Sequence, residues 1–109
     1  MVILLTEKIT PEQLKIVAKD LDGYIKFVVD ILKEILAAGG EMHADSEKLL
    51  LENGSEQRDL WGGGLDLETG EVDYNSMINI RPDQNNASRD VLDIDIRKKI
   101  DIILHKLLI

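Results

Sequence analysis

The chain has 109 residues, 44% of them hydrophobic and none of them cysteine, with a formal charge of -8. That length supports one small core and not two, and the absence of cysteine excludes disulfides, thiolate catalysis and cysteine-based zinc sites. The acidity argues against general affinity for nucleic acid, whose phosphates reward clustered Lys and Arg.

A single domain over residues 1–109 in a reducing, cytoplasmic setting is therefore expected. The opening apolar run, Val2 to Leu5, reads as a short buried strand: it has no basic residue before it and is too short for a signal peptide. No later segment reaches the roughly 20 apolar residues of a membrane span. In Thr10-Pro11-Glu12-Gln13 the sequence carries a helix start, with Thr10 as N-cap, Pro11 at the first helical position and Gln13 able to reach back. This first helix should run from Pro11 to about Leu21, with Leu14, Val17, Ala18 and Leu21 on its core face.

The next segment, "YIKFVVDILKEILAAGG", supports two readings. Its polar residues Lys26, Asp30, Lys33 and Glu34 make one stripe of an amphipathic helix. Phe27-Val28-Val29 and Ile31 are strand formers, and a turn at Leu32 to Glu34 would instead give a hairpin. Periodicity alone does not choose. After it, "GGEMHADSEKLLLENGS" crowds Glu41, His43 and Asp45 into five positions before an apolar run. If Ile35 to Ala44 is extended, those three side chains share one face and could hold a divalent cation, or place His43 between carboxylates as a general base. The plainer reading makes Asp45 the N-cap of a short helix that Asn53-Gly54 stops.

"DLWGGGLDLETGEVDYNSMINIRP" reads as a hairpin, with strands from Leu60 to Leu67 and from Val72 to Ile80 and a turn at Glu68 to Glu71. No helix follows Gly62-Gly63-Gly64, so a flexible or bulged strand is preferred there to a phosphate-cradling loop. Alternation places Met77, Asn79 and Arg81 on one face and Ser76, Ile78 and Ile80 on the other, which makes Asn79 and Arg81 candidate ligand donors. In the polar loop that follows, Arg81 and Arg89 could grip a carboxylate or phosphate, or pair with nearby acidic residues. The last helix should start after Asp93 as N-cap and run to about Leu108, with a core stripe of Ile96, Ile100, Ile103 and Leu107. Ile102, Leu104, Leu108 and Ile109 widen that stripe enough to suggest a homodimer contact.

Taken in order, "VVDI", "GGEMHADSEKLLLENGS", "DLWG", "SMINIRP" and the "SR" before an Arg-bearing terminal helix resemble a family of small bacterial and archaeal proteins known only as a domain of unknown function. The similarity runs from about Thr10 to Ile100 and implies no activity. It does imply the hairpin reading of residues 24–38, although this chain has Leu32 where the family is usually charged and Glu34 where it often has Gly. The expected fold is thus α+β: an antiparallel or mixed sheet of two hairpins and an N-terminal strand, packed against an N-terminal and a C-terminal helix. Two functional classes stay open. One is a polar pocket binding a small anionic ligand or a metal, built from Glu41, His43, Asp45, Asn79, Arg81 and Arg89. The other is a non-catalytic interaction or oligomerisation protein using the terminal helix.

Overall fold

Residues 24–38 double back on themselves. The computed structural model, which describes residues 1–109, pairs β2 (Tyr24–Asp30) antiparallel with β3 (Ile35–Gly39), Val29 opposite Leu36. The turn between them is built by Asp30. Its Oδ1 accepts from the backbone N–H groups of Leu32 and Lys33, both at 2.9 Å, and its Oδ2 from the Ser55 hydroxyl at 2.6 Å, so this fully buried carboxylate is satisfied. Glu34 closes the turn at φ 57°, the left-handed conformation that glycine would adopt more cheaply.

β1 (Val2–Leu5) pairs with β3 on its far side, and β4 (Leu60–Asp66) pairs with β2, followed by the two-residue β5 (Val72–Asp73). The sheet runs β1-β3-β2-β4-β5 and every pair is antiparallel. α1 (Pro11–Lys19) begins with the Thr10–Gln13 capping box, complete in both directions, and Leu21 falls in the turn beyond its end. α3 (Ile94–Leu107) begins at Asp93, whose carboxylate accepts from the Asp95 and Ile96 N–H groups. No helix is long and apolar enough to cross a membrane.

Two expected strands end early. β3 stops at Gly39 because Gly39 and Gly40 take φ of +105° and +75°, which turns the chain out of the sheet. α2 (His43–Glu52) then starts with Met42 at its N-cap position, three residues ahead of Asp45. The expected extended stretch to Ala44 does not form, and Asp45 sits exposed in the first turn instead of capping. The predicted C-terminal stop is present, at Asn53 and Gly54. The strand expected from Val72 to Ile80 likewise ends at Asp73, and Met77–Asn79 form a 3-10 turn. Asn79 explains why. Its side chain accepts from the Gly62 N–H at 2.9 Å and donates to the Gly62 carbonyl at 3.0 Å, pairing β4 as a neighbouring backbone would.

Helices cover both faces of the sheet. α1 and α3 bury Val17, Ile100, Ile103, Leu104 and Leu107 against Phe27, Val29, Leu36 and Trp61 in a cluster of 16 buried residues. α2 covers the opposite face with a cluster of only 4: Val28, Ala37, Leu50 and Leu60. β2 is therefore apolar on both sides, which accounts for the uninterrupted Phe27-Val28-Val29. Leu104 and Leu108, expected to widen the outer face of α3, belong to the large cluster, while Ile102 is 64% exposed.

Candidate functional site

The smaller cluster leaves the β4–β5 end of its face uncovered. Side chains alternate across a strand, so Tyr24 and Lys26 stand on the α2 side with Val28, opposite Asp66 and Gly64 on β4. Gly62 and Gly64 face the same way and contribute no side chain. A Cβ on Gly62 would come within 2.7 Å of Ser76 Cβ and 3.1 Å of His43 Cδ2, and one on Gly64 would run into the Tyr24 ring. Gly63 points to the other face, against Phe27. The triglycine is thus a regular, buried strand that admits close neighbours on both sides, not a flexible or bulged one.

Beside these buried glycines lies a polar cleft of about 450 Å³. β2 supplies Tyr24 and Lys26, the start of α2 supplies His43, β5 supplies Asp73, and the following loops supply Ser76 and Arg89. His43 is partly buried, and its Nε2 lies 2.7 Å from the Gly63 carbonyl oxygen. A carbonyl only accepts, so Nε2 carries the proton. Burial holds the His43 pKa below its ordinary 6.5, outweighing the Gly63 hydrogen bond, and Lys26 pushes the same way. The ring is therefore neutral at pH 7, and its Nδ1 is an open acceptor with no partner in the chain.

The other lining groups divide into committed and free. Tyr24 donates its hydroxyl to Asp73 Oδ2 at 2.5 Å; burial, and then that hydrogen bond, raise the phenol pKa well above its usual range. Asp73 Oδ1 accepts from the Asn75 N–H. Lys26 Nζ uses one donor on the Glu41 carbonyl at 2.8 Å and keeps two. Ser76, 3% exposed, accepts from the Ile78 N–H, and its own proton has no acceptor. The exposed Arg89 guanidinium makes no hydrogen bond or ion pair in a chain whose one salt bridge joins the Met1 amino group to Asp20. A smaller, more apolar recess of about 160 Å³ shares Lys26, His43, Ser76 and Met77 with the cleft and adds Met42 and Ile78.

Of the residues the sequence singled out, the fold brings His43 and Arg89 to this cleft. Glu41 and Asp45 are exposed outside it: Glu41 precedes α2, and Asp45 lies two positions, about 200° of helix, from His43. The three do not converge, and no group of three His, Asp or Glu side chains does so anywhere in the chain. Asn79 is fully buried and spends its amide on the Gly62, Tyr74 and Arg89 backbone. Arg81, 6% exposed, donates to the carbonyls of Gln57 and Leu60 and stacks on Trp61 at 3.9 Å. It makes no salt bridge to a loop carboxylate. Both positions were placed on a strand face that the 3-10 turn abolishes.

Sequence reasoning passed over Tyr24, Lys26, Asp73 and Ser76. A signal for the first two was present: within β2 they alternate with Ile25 and Phe27, opposite a strand that has glycine where it should have side chains. Ser76 and His43 do not form a hydrolytic pair, since the imidazole nitrogen nearest the strand is held by Gly63 and no hydrogen bond joins the two side chains. The arrangement can instead hold an anion. It offers two cations against one carboxylate, a local reversal of sign in a protein of charge -8, with unspent donors on Lys26, Ser76 and Arg89.

No curated protein and no solved structure matches this sequence. Residues 3–107 match the family described as "Protein of unknown function (DUF5674)", and the chain belongs to that family.

Proposed function

We propose that the protein binds a small organic anion in the polar cleft between β2, β5 and the start of α2. The observation that carries this reading is the pair of under-used cations, Lys26 and Arg89, lining one concave site with the free Ser76 hydroxyl. The adjoining recess beside Met42, Met77 and Ile78 suits a short apolar part of the same ligand. A cytoplasmic setting fits an acidic, cysteine-free chain. Titration with inorganic phosphate, followed by amide chemical shifts, tests the proposal. Shifts should concentrate at Lys26, His43, Ser76 and Arg89, and Lys26→Ala with Arg89→Ala should weaken binding by about tenfold or more, since a hydrogen bond to a charged group contributes roughly 1.5–3 kcal/mol. Shifts elsewhere, or affinity unchanged in that double variant, would refute it.

A second reading has its own support. Ile31, Leu32, Ile102 and Ile103 line an apolar groove of about 250 Å³, with Leu32 70% exposed, and Glu34 and Lys99 in the same groove are unpaired. A twofold axis that pairs Glu34 of each chain with Lys99 of the other would satisfy both charges as it covers the groove. Light scattering on wild type and on Ile102→Glu reads this out. A monomer at every concentration of the wild type removes it. Leu108 is unsuited to that test because it is core.

A further inference from the structure

We infer that His43 reads a proton on the ligand: the anion bound in the cleft is one that also carries a hydrogen-bond donor, such as a hydrogen phosphate or a hydroxy acid, and not a fully deprotonated oxyanion. This rests on the anion-binding reading above and narrows it.

The chemistry follows from the tautomer. The Gly63 carbonyl lies 2.7 Å from His43 Nε2 and fixes the proton there, so Nδ1 presents a lone pair. That lone pair has no partner in the chain and is not enclosed, and the residue lines the cleft. The ring is also held in place. His43 is the first residue of α2, and its Cδ2 edge stands over Gly62, where even a Cβ would come within 3.1 Å. The imidazole therefore cannot turn its donor nitrogen to the ligand without losing the Gly63 bond. An oxyanion drawn in by Lys26, Arg89 and the Ser76 hydroxyl meets an acceptor at one side of the site. A P–OH or C–OH satisfies that acceptor, whereas a bare oxygen faces a lone pair and leaves both unpaired. Asp73 adds a second acceptor in the same lining, already engaged by Tyr24 and Asn75. Lys26, Asp73, Tyr24 and Arg89 are the titratable groups that share the cleft with the ring.

Phosphate and sulfate separate the possibilities, because at about pH 8 hydrogen phosphate keeps one P–OH, sulfate has none, and the imidazole stays neutral. The 109-residue chain should bind phosphate at least about tenfold more tightly than sulfate, the discrimination expected when an acceptor that the bound ligand covers is satisfied or not. In His43→Phe, which keeps a planar ring, the preference should fall to within about twofold. Should that variant fail to fold, the imidazole 15N spectrum of the wild type serves instead: Nδ1 should shift on adding phosphate, without becoming protonated, and stay put with sulfate. Equal affinity for the two anions, or an Nδ1 that becomes protonated as either binds, overturns the inference while leaving anion binding intact. A preference that survives in His43→Phe also overturns it and gives the acceptor role to Asp73. Binding of neither anion overturns both readings.

Discussion

The two faces of the sheet are built from alternate residues of the same strands and come out differently. On the α1/α3 side, aliphatic and aromatic side chains fill the whole width of the sheet; on the α2 side, filling stops at Leu50 and Leu60, and beyond them lie Gly62 and Gly64. A helix of ten residues covers only part of a five-stranded sheet. The uncovered part is where polar side chains and a concavity meet. The cleft is therefore a consequence of unequal coverage: the larger buried cluster lies on one face, and the other keeps an open polar concavity.

That contrast makes its largest demand on Phe27 and Leu50. Phe27→Ala, emptying the centre of the large cluster, should cost about 3–5 kcal/mol in denaturant unfolding, whereas Leu50→Ala, in a cluster of four, should fall near the low end of the range for Leu→Ala, about 2 kcal/mol. Equal losses would mean that the two faces support the fold alike. The two arginines sharpen the same point within the loop region. Arg81→Ala removes a buried side chain bonded to Gln57 and Leu60 and stacked on Trp61, and should cost about 2–4 kcal/mol. Arg89→Ala removes a guanidinium that touches no partner and should leave the unfolding midpoint within about 0.5 kcal/mol of wild type. A large loss at Arg89 would show it to be a scaffold residue like Arg81.

The buried glycine strand comes next in size. Gly62→Ala pushes a methyl into Ser76 and the edge of His43, and the crowding should cost about 1–3 kcal/mol. Because Ser76 and His43 both line the cleft, displacing them should weaken the phosphate-induced shifts at both residues even in the fraction that remains folded. If binding is undiminished in Gly62→Ala, it does not depend on the placement of Ser76 and His43.

How much of this the residues announced depends on whether local rules decided the outcome. Thr10-Pro11-Glu12-Gln13 and Asp93 marked their helices because capping is a contact between near neighbours in sequence. The hairpin at Asp30 to Glu34 was visible only through family resemblance, since its polar stripe mimics a helix and its turn lacks the glycine; the decisive contacts come from Asp30, buried and reaching to Ser55, 25 positions away. His43 and Arg89 were recognised as chemistry-bearing residues, but the partners they meet in the cleft belong to strands distant in sequence. Asn79 and Arg81 stand out as polar residues that strand alternation places on one face. Their burial followed from a break in the strand that alternation cannot foresee, because a side-chain amide took over the pairing of β4.

The smallest effect expected is a pH dependence on the α2 face alone. Burial lowers the folded-state pKa of His43 beneath the 6.5 of an unfolded histidine. Above 6.5 the ring is neutral in both states, and its contribution to stability is complete. As pH falls below 6.5, the unfolded chain takes up the proton first, so stability declines until the folded pKa is reached and then levels off. The difference between wild type and His43→Phe, followed by urea midpoints between about pH 7.5 and 5, isolates this group, because every other titrating group is common to the two proteins. The wild-type midpoint should drop relative to the variant across that window. A difference that stays flat would place the imidazole in open solvent, and a rise on acidification would mean that His43 is charged in the folded protein, which would turn Nδ1 from an acceptor into a donor.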